Sequence, residues 1–234
     1  METFHPFDST QLNGAGLNRQ AVFNIDDLPS DMAACVRASC PSASGYRQLL
    51  LIGHAGRQLW KSMKAAGVHS EHPVDDFTVQ VVREWFARCQ PQNTYEIIYP
   101  GTHLIGLQRL GQLAGWHHAT PFMVGIDREW GTWYAYRAVV LADTRFEPTV
   151  PLKTAAPCHH CEHKACIATC PGAALDDGQL NLGKCVAYRK RAESHCKATC
   201  LARVICPVGS QHRYDDEQMH HIYSNSMRYI ERYY

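Results

Sequence analysis

Three observations predict an α+β fold. Helix-period and strand-like stretches alternate as far as about residue 150, and their order reads β-α-α-β-α-β-β. The last two strands follow one another directly, which favours a mixed or antiparallel sheet over a doubly wound parallel one. Beyond a proline-marked stretch at residues 147–151 the apolar content falls and cysteines crowd together. The expected organisation is therefore an α+β domain at 1–150 followed by a cysteine-rich domain at 151–234. A chain of 234 residues with 45% hydrophobic side chains can bury a core in both.

The elements follow in order. Residues 1–45 are polar and read as loop, apart from a short helix at 31–38. The run QLLLI at 48–52, closed by glycine, reads as a buried strand. Helix formers at 54–66 stop at Gly67, a suitable C-cap. Residues 75–89 form a second helix, with Asp75 or Asp76 as cap and Phe77, Val81 and Trp85 on one face. YEIIY at 95–99 reads as a strand, and 104–113 as a helix ended by Gly115. Residues 123–126 and 133–141 read as the strands of a hairpin, with 127–131 as its turn. The last half of 212–234 reads as a helix carrying Tyr223, Met227 and Ile230 on one side.

Charge and motifs narrow the function. Lys+Arg is 23 against Asp+Glu 22, a net charge of +1, so no global field points to a nucleic acid. No apolar run approaches the ~20 residues of a membrane span, and the first residues lack a basic, apolar leader. No membrane partner and a cytoplasmic location are expected. Ile52-Gly53-His54-Ala55-Gly56 lacks the spacing of a dinucleotide fingerprint, and no hydrolase motif is present.

Cysteine is the anomaly: 11 in the chain, 8 of them between Cys158 and Cys206. A reducing compartment disfavours structural disulfides, so thiols this dense read as metal ligands. Cys158, Cys161, Cys166 and Cys170 stand in C-x2-C-x4-C-x3-C-P spacing. The bacterial ferredoxin run differs only by a shorter second gap, and its fourth cysteine ligates the other cluster. Cys185, Cys196, Cys200 and Cys206 follow, the last again before a proline. Eight thiols are the number that two 4Fe–4S clusters require. In the crossed arrangement Cys158, Cys161, Cys166 and Cys206 hold one, and Cys170, Cys185, Cys196 and Cys200 the other. Cys170 would start a helix, with Pro171 in its first turn. Zinc is the alternative, with His159, His160, His163 and His195 as possible nitrogen ligands; the Cys-Pro pairs and the C-x3-C spacing speak against it. Cys35, Cys40 and Cys89 fall outside the pattern.

A two-cluster ferredoxin alone needs only about 55–80 residues. The stretch just before the cysteines, AGWHHATPFMVGIDREWGTWYAYRAVVLADTRFEP, resembles epoxyqueuosine reductases and, more distantly, reductive dehalogenases. The resemblance lies in Gly115-Trp116, the apolar residues 123–126, the acidic turn with Gly131-x-Trp133, the strand ending in Leu141-x-Asp143, and the lone Cys185 in KCVAY. It covers roughly residues 95–210.

The resemblance implies a nitroreductase-like cobalamin-binding domain ahead of a two-cluster ferredoxin-like module. Cobalamin would be held base-off, with Gly115, Trp116, His118, Met123, Gly131 and Trp133 as its binding residues. Electrons from a ferredoxin or flavodoxin would pass through the clusters to cobalt, which would reduce a small organic substrate of unassigned identity. The family's proton-donating Asp corresponds here to Tyr99, with His117 as the other candidate catalytic residue. No counterpart of the tRNA-modifying enzyme's helical-repeat tail follows, so a nucleic-acid partner is not expected. Two other readings stay open: a cobalamin reductase or processing protein whose substrate is the corrinoid itself, and a ferredoxin-type carrier without corrinoid.

Overall fold

The computed structural model describes residues 4–151 and 154–234; residues 1–3, at the start read for a leader, and 152–153, at the expected domain boundary, lie outside the described residues. The chain divides into two compact units, Met1–Ala114 with Tyr134–Leu152, and Gly115–Trp133 with Lys153–Tyr234. The cysteine-bearing unit thus includes an excursion, Gly115–Trp133, that lies on the N-terminal side of the linker in sequence.

In the first unit, α1 (Thr10–Gly14), β1 (Arg19–Asn24), α2 (Ser30–Ser39), β2 (Gln48–Ala55), α3 (Gln58–Ala65), α4 (Pro73–Cys89), β3 (Tyr95–Tyr99), α5 (Leu107–Leu113) and β4 (Tyr134–Ala142) follow in order. The four strands make one antiparallel sheet in the order β1-β2-β4-β3. Every residue of the inner strand β2 is buried, which is why QLLLI shows no polar alternation. The main core gathers Leu50, Ile52, Ala138 and Val140 with Leu59, Val82, Trp85 and Phe86 from α3 and α4. Trp85 is fully buried, stacks on Phe7 at 4.9 Å, and its indole N–H donates to the Asp8 carbonyl at 2.8 Å. Gln48 opens β2 with a buried amide whose four hydrogen-bonding positions are all filled. Its Nε2 donates to the Phe146 carbonyl and Asn24 Oδ1, and its Oε1 accepts from the Phe146 N–H and the Thr144 hydroxyl. A buried amide satisfied in this way carries little desolvation penalty.

Two β-bulges interrupt the sheet. Opposite Ile52 and Gly53 the partners are Ala138 and Tyr136, so Arg137 is the extra residue of β4. Opposite Val140 and Val139 the partners are Ile97 and Tyr99, so Ile98 is the extra residue of β3. A bulge kinks its strand and redirects the side chains around it.

The second unit holds α6 (Ala165–Ala168), α7 (Leu182–Arg189), α8 (Leu201–Val204) and α9 (Asp216–Tyr233). Its apolar centres are small: Phe122 with Leu175 and Ala202; Trp133 with Tyr214 and Met219; Val186 with Met227 and Ile230. α9 is capped by Asp215, whose carboxylate accepts from the Gln218 N–H at 2.8 Å.

Several expectations need correction. β1 and α1 lie in the stretch read as loop. The helix expected at 54–66 is shortened to α3, because β2 runs on to Ala55. α4 is entered through His72 and Pro73, leaving Asp75 and Asp76 in its first turn rather than at its cap. Residues 123–126 form no strand: His118 and Ile126 make an isolated bridge, as do Asp127 and Gly131, closing two successive loops. After Cys170 and Cys206 the chain turns and does not begin a helix; α6 precedes Cys170 and α8 precedes Cys206.

Candidate functional site

The eight clustered thiols fall into two groups in the second unit. Burial pushes Cys158 up to about 11, reinforced by Cys206, Cys166 and Cys161, with Lys164 opposing. Cys166 is raised by burial and by Cys206 and Cys161, and Cys206 by burial and Cys161. Cys185 is raised by burial and then by Cys200, Cys170 and Cys196, against Arg189. Cys200 is raised by burial and by Cys196 and Cys170, against Arg203. Cys206 thus neighbours Cys158, Cys161 and Cys166, and Cys170 neighbours Cys185 and Cys200.

The first group lines a small pocket with Phe122, Ile126, Ala165, Pro207 and Val208, so its walls are apolar. Among the described residues, no three His, Cys, Asp or Glu side chains converge on a point that would hold one metal ion. Four thiols lining one apolar-walled pocket are a donor set that fits an iron–sulfur cluster. His159, His160, His163 and His195 are exposed.

A turn-on-turn contact shapes this region. Gly131 has φ +59° and Gly209 φ +64°. A Cβ at Gly131 would meet the Val208 carbonyl oxygen, and one at Gly209 would meet the Trp130 carbonyl carbon. Only glycines let the 127–131 loop close on the chain just after Cys206. Trp133 is 1% exposed, 5.4 Å from Tyr214, with the Arg203 guanidinium 4.6 Å from its ring centre. Gly131 and Trp133 are thus engaged in packing within their own unit.

The other residues expected around a corrinoid differ among themselves. Gly115 has φ +75° and Trp116 is buried. His117 is buried too, and burial, then His118, lowers its pKa below 6.5. His118 is half-buried, with Nε2 3.1 Å from Thr154 Oγ1. Met123 is 65% exposed at φ 62°, a left-handed backbone unusual for its side chain.

Tyr99 lies in the first unit, at the end of β3 after the bulge. Its hydroxyl pKa is raised by burial; Arg137 lowers it and Asp75 raises it. The bulged Arg137 donates from Nε to His54 Nδ1 at 2.9 Å, and its Nη1 is 3.9 Å from Asp75 Oδ1. An arginine N–H can only donate, so His54 Nδ1 carries its lone pair. Tyr99, Arg137, His54 and Asp75 therefore come together from β3, β4, β2 and α4. None of the last three reads as a site residue in the sequence, where Asp75 figures only as a candidate helix cap; the one signal is an arginine interrupting an otherwise apolar strand.

No family model and no curated protein matches the chain. Solved structures do. An epoxyqueuosine reductase bound to an epoxyqueuosine-modified tRNA stem loop superposes with a TM-score of 0.54 at 14% identity, over 89% of this chain and 66% of that one. An epoxyqueuosine reductase from Bacillus subtilis gives 0.53 at 13% identity over the same shares. A reductive dehalogenase described as supporting B12-dependent dehalogenation gives 0.52 at 12% identity, over 92% of this chain and 33% of that one. The chain shares their fold. It spans slightly under two thirds of the epoxyqueuosine reductases and one third of the dehalogenase. Among the described residues no helix is long and apolar enough to cross a membrane.

Proposed function

We propose that the protein is an iron–sulfur reductase that works with a corrinoid on a small organic substrate. The observation that carries this reading is the sorting of eight thiols into two groups of four, on a fold shared with epoxyqueuosine reductases and a B12-dependent dehalogenase. Cys158, Cys161, Cys166 and Cys206 would hold one 4Fe–4S cluster, and Cys170, Cys185, Cys196 and Cys200 the other. When bound, the clusters supply single electrons and the corrinoid a strongly reducing metal centre.

The chain's own residues do the rest. The apolar walls around the first thiol group keep water from it. Tyr99 keeps its proton at neutral pH and donates it to the reduced substrate, while the charge of Arg137, fixed by His54 and Asp75, favours the phenolate left behind. The half-buried His118 and the exposed Met123 are the expected corrinoid contacts that remain available on their unit. A ferredoxin or flavodoxin is the class of donor this assignment calls for.

Protein purified without oxygen should contain about eight iron and eight acid-labile sulfides per chain. Titration with hydroxocobalamin should give near-equimolar binding and a base-off spectrum. Stoichiometric zinc without sulfide would overturn the cluster assignment. Clusters without corrinoid binding at tens of micromolar would leave a ferredoxin-type carrier. Cobalamin reduction with no turnover of any added organic compound would make the corrinoid itself the substrate. Binding of a tRNA stem loop would reopen the nucleic-acid partner.

A further inference from the structure

Two arginines in the second unit are almost completely buried, Arg189 at 7% and Arg203 at 5% exposure. Buried guanidinium groups are rare, because taking a charge out of water costs several kcal/mol unless partners compensate. Both are fully engaged here. Arg189 lies one helical turn beyond Cys185 on α7. It donates to the carbonyls of Cys196 at 3.0 Å, Lys197 at 3.4 Å and Tyr223 at 3.2 Å, and to Ser226 Oγ at 2.9 Å. Arg203 lies on α8, just after Cys200. It donates to the Thr132 carbonyl at 2.5 Å, and its guanidinium lies 4.6 Å and 5.1 Å from the ring centres of Trp133 and Tyr214.

Every one of these partners is neutral; no carboxylate cancels either charge among these contacts. Both cations act on members of the same thiol group, Arg189 on Cys185 and Arg203 on Cys200. The other group is treated differently. Lys164, which acts on Cys158, is exposed, and Arg213, which acts on Cys206, is only half-buried. Water and salt screen an exposed cation far more than a buried one.

We propose that Arg189 and Arg203 set the cluster held by Cys170, Cys185, Cys196 and Cys200 at a higher reduction potential than the cluster held by Cys158, Cys161, Cys166 and Cys206. The proposal rests on the two-cluster reading above. A 4Fe–4S cube with four thiolates carries a charge of −2 when oxidised and −3 after taking one electron. A fixed positive charge favours the more negative form, and cluster potentials respond to net charge, hydrogen bonding and exposure. Burial opposes reduction in both groups, but only one holds two buried cations. That cluster takes the first electron from a low-potential donor and retains it until the second is filled. Arg189 and Arg203 are positioning residues: they touch no substrate and act through the thiolates and the backbone that carries them.

The test is a dithionite titration of the full-length, cluster-loaded protein at controlled potentials, followed by paramagnetic resonance. Two one-electron steps are expected. Arg203→Met keeps an apolar side chain between Trp133 and Tyr214 but removes the charge. It should make the upper step at least tenfold harder, a shift of about 59 mV, and leave the lower one in place. Arg203→Lys should hold the upper step near its parental position. Arg189→Gln should move that step in the same direction. In Cys206→Ala the surviving cluster should titrate at the upper potential, a check that needs no arginine variant. Charge-removing variants that shift neither step, shift the lower one, or shift both equally would overturn the proposal while leaving two clusters in place. A surviving cluster in Cys206→Ala that titrates at the lower potential would do the same. Parental protein without acid-labile sulfide would remove the cluster reading and this proposal together.

Discussion

Tyr99 holds its proton because burial disfavours the phenolate more strongly than Arg137 favours it. A hydroxyl whose pKa lies above 10 is fully protonated at neutral pH, so its contribution to turnover should be constant there and fall only as pH rises past 10. Tyr99→Phe keeps the ring and deletes the proton. Reductive turnover of a panel of halogenated and epoxide compounds should drop by about 10²–10⁴-fold, the usual contribution of general-acid assistance. Cluster content and cobalamin binding should stay at parental levels. Unchanged turnover would move the acid role to His117, which burial keeps neutral and so makes a poorer donor at neutral pH. Tyr99 is singled out by the resemblance alone, because it stands where the family has an acid. Arg137, His54 and Asp75 are not. A bulge decides where Arg137 points, and strand spacing alone does not reveal which residue of β4 lacks a partner across the ladder.

At the scale of elements, long and strongly patterned segments read well. The strand YEIIY was predicted with its observed limits, and the second helix is offset by only two residues at its start. β1 escaped because only Ala21 and Val22 of its six residues are buried, so an edge strand showed too little apolar pattern to stand out from loop. The hairpin expected at 123–141 was half right: β4 is a strand, while its supposed mate is held in loops by two isolated bridges. Those loops carry a stability prediction. Gly178 and Gly131 both have positive φ, but a Cβ at Gly178 meets open space whereas one at Gly131 meets the Val208 carbonyl. Gly178→Ala should lose roughly 1 kcal/mol, the backbone penalty alone. Gly131→Ala adds overpacking of about 1–3 kcal/mol to the same penalty, for a total of roughly 2–4 kcal/mol. Urea unfolding of the two variants, followed side by side without oxygen, measures the difference. Equal losses would mean that the two turns separate at little expense.

For the whole molecule, the proposed crossed use of the thiols gives the sharpest division. Cys170→Ala and Cys206→Ala should each leave about half of the iron, and each should abolish a different paramagnetic signal. Loss of the same signal in both would overturn the proposed assignment. That assignment starts from the cysteine spacing, in which each set of four ends in a Cys-Pro pair. The route of the chain was not legible. Composition changes at the prolines near residue 150, yet Gly115–Trp133 belongs with the cysteines. Packing partners rather than composition decide this: Phe122 lies with Leu175 and Ala202, and Trp133 with Tyr214 and Met219.

That excursion makes the cysteine region inseparable from the middle of the chain. A fragment cut at the linker would retain all eight clustered thiols. It would lack Phe122 and Ile126 from the wall of one thiol pocket, the Gly131 turn that braces the chain after Cys206, and the tryptophan face beneath Arg203. The cysteine-bearing half of the molecule is therefore not a transplantable cassette. Its history and its engineering both have to carry the segment between α5 and β4 along with it.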